Sequence, residues 1–461
     1  MLLVFVALVP WLRALRTRDA RYGWRSGLGF GAIFWLTQMA WVVPFVGRWT
    51  GSYWLALIPY LMTPVLGMWF FGLVGWAMQR AFALQRAWAI PLIWASVEFL
   101  RAYMPELAFP WGFLATPLWT MPVLIQTAGL GTVFLTSAWV ALINVLLTEV
   151  IEGGPRPLIL RTLLVAIIGG VGSVARWSTP PPSESVVIGI GQLGEDMAFG
   201  DPSTEFARLS VAVPDLRRRA LGQGARFLVM PEGLADGADA RVLGPPDLAR
   251  TPMLFGGQRE VDGLRYQSAF VVQDGAVISS VDKTRLVVFG ERVPFRSAFT
   301  AFSAFNLPSG DLAAGTRIAP LDLDGIPVGP VICFEALFPD VARSQADAGA
   351  RLLAVMSIDD WYMGTNAPEQ LLAASAFRSV ETGLPLVRSA SLGISGWFDA
   401  RGNLRASAPL GVRTVIRAEV PVPRRGDGWP YQGMVPWAMA AVSGWSVFVR
   451  PRSRKSPVPA T

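Results

Sequence analysis

The run LILRTLLVAIIGGVGSVARWSTPPPSESVVIGI, residues 158–190, changes character at one break. Residues 158–176 are apolar and close to the length of about 20 residues that a helix needs to cross a ~30 Å hydrocarbon core. Pro180–Pro182 ends any helix there, because proline lacks the amide donor and clashes with the preceding turn. Val186–Ile190 then reads as a short apolar strand. The chain is therefore expected to be membrane-bound before the break and water-exposed after it.

Working outward, further apolar stretches lie at about 1–15, 24–46, 53–78, 88–104 and 122–148, and one more closes the chain at 431–449. The 461 residues are 52% hydrophobic and 16% charged, against about 25% charged in soluble domains. The expected organisation is a transmembrane bundle of about six spans over 1–177, an α/β domain over 178–430, a C-terminal transmembrane helix over 431–449 and a basic tail over 450–461. Trp24, Trp49, Tyr53, Trp54, Trp88 and Trp111 sit near the span edges, as an interfacial belt does. Basic residues alternate between loops. Arg13, Arg16, Arg18, Arg21 and Arg25, then Arg80 and Arg86, then Arg156 and Arg161, and finally Arg450, Arg452, Arg454 and Lys455 mark one side. With that side cytoplasmic, residues 178–430 fall outside the cytoplasm.

The net charge of +7 comes from these flanking arginines. They form no basic stripe with interleaved aromatics, so nucleic acid is not an expected partner. The chain has one cysteine and no histidine. That excludes an internal disulfide, a Ser-His-Asp triad and imidazole metal sites, and no metal or other cofactor is expected. Within the spans, Glu98 and Arg101 stand one helical turn apart and could pair, while Gln126 and Asn144 could join helices.

In the outer domain, strands are predicted at Val186–Ile190, Phe227–Met230, Met253–Gly256, Ser268–Val272, Val328–Cys333, Leu352–Met356 and Leu386–Ser389. Helices are predicted at Thr204–Leu221, Ala336–Ala348 and Pro368–Thr382. Such mixed order indicates an α/β or α+β sandwich. Three motifs carry candidate chemistry: Leu228-Val229-Met230-Pro231-Glu232-Gly233; Val281-Asp282-Lys283-Thr284-Arg285-Leu286 continuing to Phe289-Gly290-Glu291; and Gly329-Pro330-Val331-Ile332-Cys333-Phe334-Glu335. A thiol needs a base to ionise and a cation to stay ionised. Without histidine, a carboxylate raised by burial is the simplest base, and a lysine the simplest stabiliser of thiolate and oxyanion. Taken singly, each motif is more often an ordinary feature: a buried cysteine, a Pro-Glu turn, a solvated lysine.

In this order, the three motifs resemble the nitrilase superfamily, whose members carry a Glu-Lys-Cys triad on an α-β-β-α sandwich. The membrane half narrows the resemblance. Trp94, Glu98, Arg101, Phe109-Pro110-Trp111, Gln126, Gly129 and Asn144 are similar to the pattern of the apolipoprotein N-acyltransferases, the membrane-embedded family of that superfamily. The resemblance implies Glu232 as general base, Lys283 as charge stabiliser and Cys333 as nucleophile. Glu291 and Glu335 are implied in support, one of them holding Lys283 or the incoming amine. It also implies a bacterial inner-membrane enzyme whose catalytic domain lies on the periplasmic side. Such an enzyme takes an acyl chain from a phospholipid onto a Cys333 thioester and passes it to the diacylglyceryl-cysteine amine of an apolipoprotein. A membrane-tethered amidase and a catalytically silent scaffold are the alternatives. The chain departs from the family pattern at Val288, Ile358 and Ala390-Ser391-Leu392, and in lacking a histidine after Pro368-Glu369-Gln370.

Phe295, Phe299, Phe302 and Phe305 recur at helical spacing and could form one aromatic face, either a lid dipping into the outer leaflet or a face packed on the domain. A second arm is read at Asp359–Asn366, with Trp361 and Tyr362 at its tip. With Phe334, these aromatics are the candidate lipid contacts.

Overall fold

The computed structural model describes residues 2–180, 183–200, 202–234, 251–295, 307 and 310–449. The N-terminal helices are α1 (Val9–Thr17), α2 (Ala20–Gln38), α3 (Val42–Thr50), α4 (Tyr53–Ala83), α5 (Ile90–Ala102), α6 (Ala128–Ile151) and α7 (Arg156–Ser178). Three of them, α4, α6 and α7, are long and apolar enough to cross a membrane, and the pair α2 and α3, bent by 51°, makes a fourth if taken as one span. The other stretches expected to span differ from that reading. Residues 1–15 form a 3-10 turn and the nine-residue α1, and 88–104 form the 13-residue α5.

Glycines bring α2 and α4 together. A Cβ on Gly27 would lie 2.1 Å from the Phe71 carbonyl oxygen, and one on Gly75 would lie 2.2 Å from that of Gly23. Small residues at this spacing allow backbone-to-backbone contact where lipid offers no hydrophobic driving force. The polar residues noted in these stretches bond to other parts of the chain. Glu98 accepts from Trp94 Nε1 and the Leu114 amide, and Arg101 donates to the Phe109 and Trp111 carbonyls, so each takes partners other than its expected mate. Asn144 accepts from the Leu8 amide and donates to the Val4 carbonyl, and Gln126 donates to the Arg401 carbonyl across to the outer domain.

That domain runs β1 (Ser183–Gln192), α8 (Pro202–Gly222), β2 (Phe227–Val229), β3 (Met253–Val261), β4 (Leu264–Gln273), β5 (Ala276–Asp282), β6 (Leu321–Leu323), β7 (Ile326–Ile332), α9 (Pro339–Asp347), β8 (Leu352–Ser357), α10 (Ala367–Thr382), β9 (Leu386–Ala390), β10 (Gly396–Phe398), β11 (Leu404–Ser407) and β12 (Thr414–Pro423). The last helix among the described residues is α11 (Val435–Phe448), which has 14 residues. One six-stranded sheet has the order β12-β1-β2-β3-β4-β5, the other β11-β10-β9-β8-β7-β6. Their inner faces meet through Ile188, Ile190, Val229, Leu254 and Val271 against Val328, Leu352, Ala354, Met356 and Val387.

The two outer layers differ. Helix α8 lays Leu209, Val213 and Leu216 on the first sheet and keeps an exposed opposite face. Helix α10 has Leu371, Phe377 and Val380 in one core shared by the second sheet and the N-terminal helices, including Ala115, Leu118 and Phe134. The α-β-β-α sandwich thus rests on the helical half through its second helical layer.

Candidate active site

The three motifs converge where strands end. Glu232 follows β2 in a turn held by mutual backbone bonds to Gly256 on β3. Gly233 needs its left-handed φ of +85°, and a Cβ on Gly256 would press within 2.9 Å of the Glu232 Cα, so glycine is required at both positions. Lys283 directly follows β5. Cys333 directly follows β7 and begins a 3-10 turn, Cys333–Leu337, with φ +50°. A non-glycine residue in that region costs on the order of 1–3 kcal/mol, and such strain clusters at active sites.

Lys283 Nζ lies 2.6 Å from Glu291 Oε1 and 3.8 Å from Glu232 Oε1. The Cys333 thiol and the Ile358 amide also lie against the Glu232 carboxyl and favour its ionised form. Glu232, Lys283 and Cys333 are all buried. Burial pushes the Glu232 carboxyl up to about 7, against the pull of the Lys283 ammonium. Burial and the Glu232 charge push the Cys333 thiol up to about 12, again against Lys283. For Lys283, burial acts downward, but the Glu291 and Glu232 carboxylates outweigh it and hold the ammonium above its ordinary value. The resting site is therefore a protonated thiol beside a carboxyl group poised to ionise near neutrality, with a permanent cation between.

The two supporting glutamates divide their work. Glu291 is the one that holds Lys283, and its second oxygen accepts from the Val287 amide. Glu335 accepts from the Thr284 amide and hydroxyl, the Arg285 amide and the Ile332 amide. It thereby staples the lysine loop to the cysteine turn.

Three residues that the sequence reading did not assign to the site form a chain leading away from the sulfur. Ser357 Oγ is 3.4 Å from Cys333 Sγ and donates to Asp359 Oδ1 at 2.6 Å. Arg388 Nη2 lies 2.7 Å from each Asp359 oxygen, and all three side chains are fully buried. The available signal was Arg388 itself, the one charged residue in the strand Leu386–Ala390, since a buried cation demands an anionic partner.

The aromatic candidates fall differently. Phe334 is buried against Phe109 and Phe338, and Tyr362 against Trp41 and Trp111; Trp361 packs on Phe45 and Phe199. The 359–366 segment is thus no free tip, because its aromatics seat it on the N-terminal helices. Phe295 is exposed, and its loop is tied to the helical half by Arg292 and Glu106, 2.7 Å apart. Phe299, Phe302 and Phe305 lie outside the described residues.

Two facing six-stranded sheets between helical layers define a nitrilase-like domain carried on apolar helices. Residues 253–427 match the carbon-nitrogen hydrolase family model, and residues 1–146 match that of the apolipoprotein N-acyltransferase N-terminal domain. The apolipoprotein N-acyltransferase of Geobacter metallireducens is 30% identical over 472 residues, covering 95% of this chain and 89% of that protein. The protein of the same name from Rhizobium meliloti is 28% identical over 438 residues, covering 87% and 80%. Among solved structures, the carbon-nitrogen hydrolase from Helicobacter pylori G27 aligns with TM-score 0.40 at 15% identity, covering 58% of this chain and 95% of that one. The chain belongs to the apolipoprotein N-acyltransferase family and is an acyltransferase.

Proposed function

We propose that this membrane enzyme moves an acyl chain from a phospholipid, through a Cys333 thioester, to the α-amine of the diacylglyceryl-cysteine that begins an apolipoprotein. It acts at the outer face of a bacterial inner membrane. Glu232 takes the thiol proton, and the thiolate attacks the ester carbonyl carbon. The oxyanion that forms faces the Lys283 ammonium. Collapse breaks the ester C–O bond, and Glu232 returns the proton to the departing lysophospholipid oxygen. The acceptor amine then attacks the thioester and gives its proton to Glu232, and the Cys333 thiolate leaves. An amine attacks a thioester more readily than an oxygen ester, which suits the exchange.

The observation that carries this reading is the meeting of Glu232, Lys283 and Cys333 in a buried cluster. Beside it, Phe334 and Tyr362 join Trp41, Phe109 and Trp111 of the helical half in one aromatic wall. Such a wall suits an acyl chain and shields the thioester from water. Incubating the protein with phospholipid should add one acyl mass to the Cys333 peptide, and a diacylated lipopeptide should remove it. Cys333→Ala should abolish adduct and transfer. Undiminished transfer by that variant, or an adduct discharged only to free fatty acid, would overturn the proposal.

A further inference from the structure

We propose that Ser357 is a catalytic residue: its hydroxyl turns from Asp359 to the Cys333 sulfur when the thiol ionises, and holds the thiolate. This rests on Cys333 as the nucleophile. The hydroxyl stands between two acceptors, Asp359 Oδ1 at 2.6 Å and Cys333 Sγ at 3.4 Å, and has one proton to give. In the resting state burial keeps the proton on the sulfur, and a thiol sulfur is a weak acceptor. The Asp359 carboxylate then accepts the Ser357 hydrogen bond.

Ionisation reverses the preference. A buried thiolate is a strong acceptor, and the carboxylate opposite is already occupied on both oxygens by Arg388 Nη2. A charge-assisted hydrogen bond is roughly twice as strong as a neutral one, so rotation about one Cβ–Oγ bond moves the donor to the sulfur. No covalent bond changes in this step. The thiolate appears twice in the cycle, as attacking group and as leaving group. One hydroxyl therefore serves both half-reactions.

Ser357 ends β8, which pairs in parallel with β7 on one side and β9 on the other. Cys333 follows β7 and Arg388 lies on β9, so the three groups are held in register by the sheet. The other ionisable groups around the sulfur are Glu232 after β2, Lys283 after β5, Glu291 in the loop beyond it, Asp359 after β8 and Tyr362 in the turn that follows.

Because Cys333 is the chain's one cysteine, alkylation of the full-length protein reports on it alone. The rate of iodoacetamide labelling, read by intact mass against pH with Cys333→Ala as blank, should move upward by about one pH unit in Ser357→Ala. That corresponds to roughly tenfold slower labelling near neutrality, with matched Trp fluorescence. Ser357→Thr, which keeps the hydroxyl, should restore the parent profile. Superimposable parent and Ser357→Ala profiles, or a folded Ser357→Thr shifted upward from the parent, would overturn the assignment. Labelling reads the thiolate without acyl transfer. A normal shift with no acyl adduct on the parent therefore rejects the proposed reaction and leaves the Ser357 role standing.

Discussion

Two ionic clusters are buried within reach of the same sulfur, and they are balanced differently. Arg388 and Asp359 are one cation and one anion in a closed pair, with both carboxylate oxygens engaged. Lys283 instead serves two carboxylates, Glu291 at 2.6 Å and Glu232 at 3.8 Å. One negative charge is left over, and burial pushes its proton affinity up to about 7 at Glu232. Closed pairs hold a fold, whereas an unbalanced one stores a movable proton.

The comparison breaks most visibly at Glu232. Glu232→Gln should slow thioester formation by about 1000-fold in a single-turnover acylation assay. The parent's acylation rate should fall about tenfold per pH unit below about 7 as that carboxyl protonates, and the variant should lose this limb. A folded-state value raised above the ordinary one contributes stability that is present at low pH and lost as pH rises through about 7. Glu232→Gln should therefore match or exceed the parent in thermal stability at pH 8. A clearly lower Tm there would count against the charge assignment.

Lys283→Ala should slow acylation by about 100-fold or more. It should also cost about 3–5 kcal/mol in stability, since it leaves two buried carboxylates face to face; denaturant titration beside the acylation assay measures both. Arg388→Met should cost a similar stability by stranding Asp359, yet its folded fraction should acylate within about tenfold of the parent. A 1000-fold loss in folded Arg388→Met would erase the distinction between the clusters. The smallest effect should come at Ile358, whose backbone amide, not its side chain, serves Glu232. Ile358→Asn should change acylation by no more than about threefold.

The legible part of the fold follows from burial. The strands read from sequence are β1, β2, β3, β4, β7, β8 and β9, all interior to a sheet. The strands missed include all four edges, β5, β12, β6 and β11, with the three-residue β10. An edge strand is buried on fewer sides and needs no continuous apolar run: Ala276, Val277 and Ile278 of β5 are exposed. Glu232, Lys283 and Cys333 could be singled out because each stands in its own short motif, two of them at the end of a strand that the sequence shows. Ser357 and Asp359 carried no such mark, because their significance comes from Arg388, nearly thirty residues on, and only the pairing of β8 with β9 brings them together.

Helix α10 is buried on nearly every side, between the second sheet and the bundle. Cutting the chain at the end of α7 would therefore not release a well-behaved aqueous hydrolase. The excised half would expose a greasy roof where the bundle had been and should clump. Solubility and catalysis are welded to one anchor, and the distance between sulfur and lipid is set by packing, like a tool bolted to its bench.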